Sequence, residues 1–168
     1  MFDGFVHWSH ISGRGKVILD GDFTRLNTFF GEGEKQSVIS LQLMAGGPIA
    51  ITDMPGDSFS LDDLKYIQNR EILALNSDAF VGKPLSDTGG SWDPKTQIWW
   101  GQMKNGDYIV GLFNREDDRQ NRTIDFSEIG IEGEMNVRDL WKQLDEGTAS
   151  QISVDLEAHS CKIVKLTR

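Results

Sequence analysis

Chemistry in this chain would have to come from a few side chains, and the best placed of them is Asp53. It closes the run Met44-Ala45-Gly46-Gly47-Pro48-Ile49-Ala50-Ile51-Thr52-Asp53, which reads as a helix end, a tight turn, a short strand and an acidic residue at the strand's exit. A carboxylate there has two readings. It contacts a substrate at the rim of a site, or it caps a loop by accepting backbone N–H bonds two or three residues on. His7 and His10 flank Trp8 without a partner at metal-ligand spacing and read as solvated loop residues. His159 falls in a turn and has no evident Ser or Asp partner for a catalytic triad. The acidic run Glu116-Asp117-Asp118 reads as a solvated turn, because a calcium loop needs a more ordered spacing of oxygens. Cys161 is the single cysteine, so an internal disulfide and a cysteine metal cluster are both excluded. Within the alternating run from Ser160 to Leu166 it reads as a buried structural thiol. No metal and no cofactor is implied by these residues.

The tryptophans carry the other chemistry on offer, stacking. Trp99 and Trp100 are neighbours in an apolar run, so on a strand they point to opposite faces. One belongs in a core; the other covers an interface or lies exposed, where it could stack on a ligand ring. Trp141 ends a second β-type run and reads as core. Trp92-Asp93-Pro94 reads as the anchor of a linker.

The elements that must hold these residues change character along the chain. Residues 1–34 are aromatic, glycine-rich and irregular, with a short β-like run at Val17-Ile18-Leu19 ending in Asp20-Gly21-Asp22. From Glu34 to Ala45 the apolar residues Val38, Ile39, Leu41, Leu43 and Met44 fit a helix buried over a wide face. Gly46-Gly47 stops that helix, since glycine takes a left-handed cap cheaply, and Pro48 forbids its continuation. Ile49-Ala50-Ile51 is a short apolar strand of the kind buried on both faces. Met54-Pro55-Gly56-Asp57 is a loop. Ser60-Leu61-Asp62-Asp63 has the Ser-x-x-acid form of a helix start, and the apolar stripe that follows breaks at Asn69-Arg70. This helix, strand, helix order belongs to a parallel sheet or barrel. After Gly82-Lys83-Pro84 the texture changes. Asp87-Thr88-Gly89-Gly90-Ser91 is turn-rich, and from Lys95 onward the pattern is strand-like. Gln97–Met103 and Asp107–Asn114 flank Lys104-Asn105-Gly106, where Asn-Gly signals a hairpin because both residues accept positive φ. Asn121–Phe126, Met135–Trp141, Gln151–Leu156 and Ser160–Thr167 complete about six strands, whose even spacing predicts an antiparallel β-sandwich.

With 168 residues, 38 % hydrophobic and 26 % charged, the chain has the composition of a globular protein with a sizeable core. A net charge of −9 excludes the basic footprint of a nucleic-acid binder and names no ligand. No apolar run approaches the ~20 residues of a membrane helix. Met1-Phe2-Asp3-Gly4-Phe5 lacks the basic and apolar regions of a signal peptide, which leaves a cytoplasmic location as the expectation for the chain as it stands.

Several stretches together resemble one family, the α-galactosidases and α-N-acetylgalactosaminidases (melibiases), glycoside hydrolases that join a (β/α)8 barrel to a C-terminal antiparallel β-sandwich. Gly47 to Asp53 resembles the family's last barrel strand. Ile67-Gln68-Asn69-Arg70-Glu71-Ile72-Leu73-Ala74-Leu75-Asn76-Ser77-Asp78 is similar to its last barrel helix, an Asn-x-Glu-apolar-apolar-Ala-apolar-Asn-x-Asp run. Val110-Gly111-Leu112-Phe113-Asn114-Arg115 and Val137-Arg138-Asp139-Leu140-Trp141 resemble two of its sandwich strands, and Glu157 to Leu166 its final turn and strand. The resemblance covers roughly Ser37 to Arg168. Asp20-Gly21-Asp22 resembles the family's Asp-Pro-Asp after the seventh barrel strand, with Gly21 in place of proline. Asp3, five residues before Trp8, has the spacing of the family's acid/base Asp and a following Trp, although Trp8 to Asp20 is far shorter than the usual helix there.

The resemblance implies an α+β fragment: the last β/α units of a (β/α)8 barrel over residues 1–85, then a C-terminal antiparallel β-sandwich over 86–168. It implies a retaining α-glycosidase acting on terminal α-linked sugars, with galactose, N-acetylgalactosamine and isomaltose-type substrates all open. Such enzymes use two carboxyl groups about 5–5.5 Å apart. By this resemblance Asp3 is a candidate acid/base, and Asp20, Asp22 and Asp53 are candidate substrate-binding residues at the rim, against the plainer reading of Asp20 and Asp22 as turn residues. The family's nucleophile, in a Lys-x-Asp motif on the fourth strand, has no counterpart in this sequence, so the isolated chain is expected to be inactive. The expected partner is a carbohydrate substrate; nucleic acid and membrane are not. The alternative is a stand-alone β-sandwich that binds carbohydrate or another protein. A fragment would leave apolar surface exposed among Val38, Leu41, Ile49 and Ile51, or cover it in a homodimer.

Overall fold

The computed structural model describes residues 1–54, 59–90 and 92–168. The loop read at Met54-Pro55-Gly56-Asp57 lies, apart from Met54, outside the described residues, as does Ser91 of the linker. An α/β segment comes first. Helix α1 (Phe2–Trp8) leads through an irregular stretch to strand β1 (Phe23–Thr24). Helix α2 (Glu32–Met44) follows, then strand β2 (Ala50–Ile51), which pairs with β1 in parallel, Phe23 opposite Ala50 and Thr24 opposite Ile51. Two short helices, α3 (Leu64–Gln68) and α4 (Arg70–Ser77), end the segment.

Local chemistry explains these boundaries. The Ser60 hydroxyl accepts from Asp63 N at 3.2 Å and starts the α3 turn. Asn69 separates α3 from α4 and caps the latter, its side-chain oxygen accepting from the Glu71 and Ile72 amides. Gly46 ends α2 at φ +79°. A Cβ on Gly47 would collide with the Leu19 carbonyl oxygen, so only glycine lets the two chain segments pass here.

The rest is an antiparallel β-sandwich. Strands β3 (Lys83–Pro84), β4 (Ile98–Gln102), β5 (Tyr108–Phe113), β7 (Met135–Asp139), β8 (Leu144–Ala149) and β10 (Cys161–Thr167) form a six-stranded sheet in the order β3-β4-β5-β10-β7-β8. Strands β6 (Gln120–Asp125) and β9 (Gln151–Leu156) pair as a second sheet. Because β3 hydrogen-bonds to β4, the sheet already begins at Lys83, two residues before the boundary expected at 85.

The six-stranded sheet is covered on both faces, and its sequence alternates accordingly. Ile98, Val110, Leu112, Val137, Val164 and Leu166 pack towards β6, β9 and the turn at Phe126–Ile129. Trp99, Ile109, Phe113 and Ile163 pack towards Phe5, Leu41, Met44, Ile72 and Leu75 of the helical segment. Helix α2 runs along this second face, in contact with β4, β5 and β10, and also touches α4. Its C-terminal half is buried all round, from Ile39 to Met44. Burial of each large apolar side chain contributes roughly 1.5–3 kcal/mol, so the seam between helices and sheet is a major source of stability.

Four expectations change. Residues 1–34 contain helix α1. The β-like run Val17-Ile18-Leu19 forms no strand: Val17 makes one isolated bridge to Ser12, and the ladder strand is Phe23–Thr24. The sandwich includes β3 and β8, which were not expected. At the hairpin only Gly106 has positive φ; the Asn105 side chain closes the turn, accepting from Asp107 N at 3.0 Å. Among the described residues no helix is long and apolar enough to cross a membrane.

Candidate functional site at the strand exits

In parallel α/β folds, functional residues gather where the strands end. Here the exits of β1 and β2 lie side by side, with Thr52 N donating to Thr24 O at 3.0 Å. The chain leaving β1 turns at once into a 3-10 helix, Leu26–Thr28. Asp53, just past β2, holds that turn. Its two carboxylate oxygens accept from Leu26 N at 2.6 Å and Asn27 N at 3.1 Å, and the residue is buried. Asp53 thus accepts two backbone N–H bonds. It caps a different segment, 26 and 27 residues earlier in sequence, rather than its own loop. With both oxygens occupied by backbone amides it ties the exits of the two strands together. Arg25, Asn27 and Phe30 are exposed on the segment it fixes.

The other candidate carboxylates lie elsewhere. Asp20 and Asp22 precede β1, at the entry end of a parallel pair whose exit end carries Asp53. Asp20 Oδ1 accepts from Asp22 N at 2.9 Å, and Asp22 adopts φ +62°, as in a tight turn. Asp3, on α1, forms a two-pronged ion pair with Arg115 at 2.6 and 3.2 Å. The Arg115 guanidinium also lies over the Phe2 ring, 4.5 Å from its centroid, and over Trp92 at 5.8 Å. This cluster clips α1 to the turn that follows β5. The four carboxylates thus occupy three separate places.

The motif residues that carry the family resemblance meet at the seam instead. Glu71 and Arg138 pair through two hydrogen bonds of 2.7 Å each, and Arg138 also reaches Asp145 at 2.8 Å. The Arg138 hydrogen bonds hold the Glu71 carboxyl below the usual carboxylate range. Asn69 Nδ2 donates to Leu140 O at 2.9 Å. Asp139 accepts from the Trp141 and Lys142 amides and from the buried Lys162 ammonium. Trp141 Nε1 donates to Ser40 Oγ at 2.8 Å, and its ring meets Tyr66 edge-on. Asn114 Nδ2 donates to the carbonyls of Asp118, Leu156 and Glu157. These residues cement helix to sheet and strand to strand.

Beside the Lys162–Asp139 pair, two further ion pairs of low exposure escaped the sequence reading among the described residues. Burial alone would raise the Asp63 carboxyl, but the Lys35 ammonium at 2.6 Å and the Ser60 hydrogen bonds bring it below its ordinary value. Glu116, read as part of a solvated turn, is half-buried against Arg122 at 2.6 Å and Gln97 at 3.0 Å. Burial pushes its carboxyl up; the Gln97 bond, backbone amides and Arg122 more than reverse this. The signal was there in period two: Arg122 and Ile124 share the buried face of β6, and buried Phe126 follows at the start of the next turn. His159, read as having no evident triad partner, makes a surface pair with Asp117 at 3.0 Å. Cys161 is half-buried by area, its thiol 3.5 Å from Ser40 Oγ, and burial pushes it up to about 11. Such a thiol is a poor nucleophile at neutral pH.

Both strand tryptophans are engaged. Trp99 is fully buried in the seam, and Trp100 stacks on Tyr108 at the sandwich core. A cavity of about 370 Å³ between α1, α2 and the turn after β5 is walled by Phe2, Val38, Leu41, Phe113, Arg115 and His159. Its polar walls are already bonded to each other or to backbone, as the Asp3–Arg115 and Ser37 Oγ to His159 O contacts illustrate.

The fold, a parallel strand pair with its helices docked on an antiparallel sandwich, agrees with the comparisons. Residues 93–166 match the family described as the alpha galactosidase C-terminal beta sandwich domain. Isomalto-dextranase of Arthrobacter globiformis is 40 % identical over 99 % of this chain, and an alpha-galactosidase of Oryza sativa subsp. japonica is 30 % identical over 84 %. A solved structure of the Arthrobacter isomalto-dextranase, complexed with panose, superposes with a TM-score of 0.89 at 39 % identity, covering 99 % of this chain and 29 % of that one. A β-L-arabinopyranosidase from Geobacillus stearothermophilus shares the fold, with a TM-score of 0.84 at 21 % identity. Residues 93–166 thus carry the C-terminal sandwich domain of the α-galactosidase (melibiase) family, and the chain as a whole is similar to one stretch of that family's longer members. It spans 27 % of the Arthrobacter relative's length and 33 % of the rice relative's.

Proposed function

We propose that this chain is the closing part of a retaining α-glycosidase that hydrolyses terminal α-linked sugars, and that by itself it is inactive because the nucleophile strand lies outside it. The observation that carries this reading is 40 % identity along 99 % of the chain to an isomalto-dextranase of which it covers only 27 %. That relative's name makes dextran the first substrate to test and α-galactosides the second.

A retaining mechanism needs a nucleophile and an acid/base about 5–5.5 Å apart. Within this chain Asp53 spends both oxygens on the Leu26 and Asn27 amides, and Asp3 is held by Arg115. The contribution proposed for the chain is therefore positional. Asp53 fixes the exit of the last strands, and the Leu26–Thr28 turn presents Arg25 and Asn27 at the rim. The sandwich holds α2 and α4 rigid behind them.

Two assays test the proposal. The purified chain should release no reducing sugar from dextran and no chromophore from an aryl α-galactoside; turnover above buffer would overturn the inactivity. A longer gene product ending in this chain should cleave one of the two substrates, and failure on both removes the assignment of activity.

A further inference from the structure

Along β9 the sandwich carries two adjoining clefts of about 390 and 470 Å³. They share Lys142, Val154 and Lys162 as walls. The first reaches Gln151 at one end of the strand and the second Leu156 at the other, so together they form one groove. None of its walls comes from β1, β2 or the Leu26–Thr28 turn. Gln36 of α2 and Trp141 line one end, and Glu146 of β8 lines the other. Each cleft falls within the roughly 300–1,000 Å³ of small-molecule sites, and their joining fits a chain of several units better than a single ring.

The junction of the clefts is built on Lys162, which is only 9 % exposed. Its ammonium donates to Asp139 Oδ2 at 2.9 Å and to Glu146 Oε1 at 2.6 Å. An ammonium has three N–H groups, and the third has no partner among the described residues. A buried donor calls for an acceptor. Glu146 Oε2 likewise has no hydrogen-bond partner among the described residues and can accept. Lys142 Nζ stands 3.9 Å from Asp139 Oδ2. Two ammonium groups thus face two carboxylates, and the junction is neutral. At the end of the groove beside α2, Asp155 is paired with Arg119 and Glu32 with Lys65. Half-buried Trp141 and Val154 add apolar surface. Donors and acceptors without net charge, beside an aromatic ring, select a neutral ligand rich in hydroxyl groups.

We propose that this groove is a saccharide-binding site of the sandwich, which holds a neutral oligosaccharide through hydroxyl contacts to Lys162, Lys142 and Glu146 and an apolar contact to Trp141. The site binds and does no chemistry: it gives the chain a grip on a sugar polymer. The choice of α-linked sugars as probes rests on the reading of the chain as part of an α-glycosidase; the chemistry of the groove does not depend on it.

The test titrates isomaltopentaose, and in a parallel arm stachyose, into the isotope-labelled 168-residue chain and follows its amide resonances. The expected result is saturable shifts at Trp141, Lys142, Glu146 and Val154 with at least one of the two sugars at millimolar concentration. Glu146→Ala should weaken that binding at least tenfold. Lys142→Ala, at a side chain 69 % exposed, should weaken it severalfold with the melting midpoint in place, and so keeps the test valid if Glu146→Ala disturbs the fold. No shift with either sugar overturns the proposal. Shifts confined to Arg25 and Asn27 at the strand exits overturn it as well, as do folded variants that bind like the wild type. The hydrolase reading stands or falls on the longer gene product, so its failure there leaves binding by this chain intact.

Discussion

The seam and the ladder are built from the same kinds of residue and reach opposite states. At the seam, apolar side chains from α2 and α4 meet those of β4, β5 and β10, and each polar motif residue finds its partner within the chain. Glu71 has Arg138, Asn69 has Leu140 O, Trp141 has Ser40. At the ladder two strands of two residues each run in parallel, pairing with no other strand among the described residues, and Phe23 is exposed. A pair so short is not stable unaided. It is held from behind by α2 and from one end by Asp53. Completeness here follows topology: the sandwich closes within one stretch of chain, while a parallel ladder takes its neighbouring strands from distant segments.

The largest contrast should appear on truncation. Trp99→Ala removes a fully buried ring from the seam and is expected to cost about 3–5 kcal/mol in urea unfolding. The half-buried Ile51 of the ladder should tolerate alanine at roughly a third of that cost or less. Equal losses at the two sites would erase the distinction.

Asp53→Ala comes next. It strands the Leu26 and Asn27 amides, at about 1–3 kcal/mol for a buried group left unpaired. Because the ladder opens locally, the loss should show as faster hydrogen exchange at Leu26 and Asn27 with little change at the β5–β10 amides. A uniform acceleration across the sandwich would mean that ladder and seam unfold as one unit.

Acid should weaken the seam by titration. Glu71 and Asp63 sit below their ordinary carboxylate values in the folded chain, Glu71 through its Arg138 bonds, Asp63 through Lys35 and Ser60 against the pull of burial. A depressed folded pKa contributes stability above the unfolded value and loses it as the pH falls through the folded one. The melting midpoint should hold from neutrality to about pH 5 and drop below about pH 4. In Glu71→Gln part of that acid drop should vanish, and an unchanged profile would locate the sensitivity elsewhere. Lys162 runs the other way. Burial lowers it, its bonds to Glu146 and Asp139 raise it further than that, and its contribution is lost only at alkaline pH.

The same contrast explains what the sequence could reveal. Elements whose reasons are local were legible: the helix ending at Gly46, the cap at Ser60, the break at Asn69, the strands alternating around Trp99 and Trp100. Strand β8 was not, because Leu144-Asp145-Glu146-Gly147-Thr148 is exposed throughout and has no buried face to impose a period. The two-residue β1 was misplaced onto Val17-Ile18-Leu19, the more apolar run, because a ladder this short is set by its neighbours. The fragment's apolar face was expected at Val38, Leu41, Ile49 and Ile51. Leu41 is buried in the seam and the other three are half-buried against it, so the exposed set is Phe23, Phe30 and Met54 with the residues around Trp8. Periodicity marks α2 as apolar without saying that its whole C-terminal half would be consumed. For the site, sequence marked Asp53 as special, but its partners lie 26 and 27 residues away in chain order, beyond any local pattern.

Asp3 should give the smallest change in stability and decides between two roles. Its side chain is 59 % exposed and its ion pair with Arg115 lies at the molecular surface, where such pairs contribute about 1 kcal/mol or less. Asp3→Asn in the isolated chain should therefore move the melting midpoint by no more than a few degrees, with the shift shrinking in high salt as the charge is screened. In an active longer product the same substitution separates the roles. A residue that only clips α1 to the sandwich leaves kcat near its original value. A general acid lost from a glycosidase costs on the order of 100-fold to 10,000-fold, with the alkaline limb of the pH profile altered. For Asp3 to act in that way the Arg115 pair would have to open in the substrate complex, since both carboxylate oxygens are engaged by the guanidinium. Arg115→Gln tests the clip from the other side: if Asp3 serves only to dock α1, both variants produce the same small loss of stability and the same unchanged kcat.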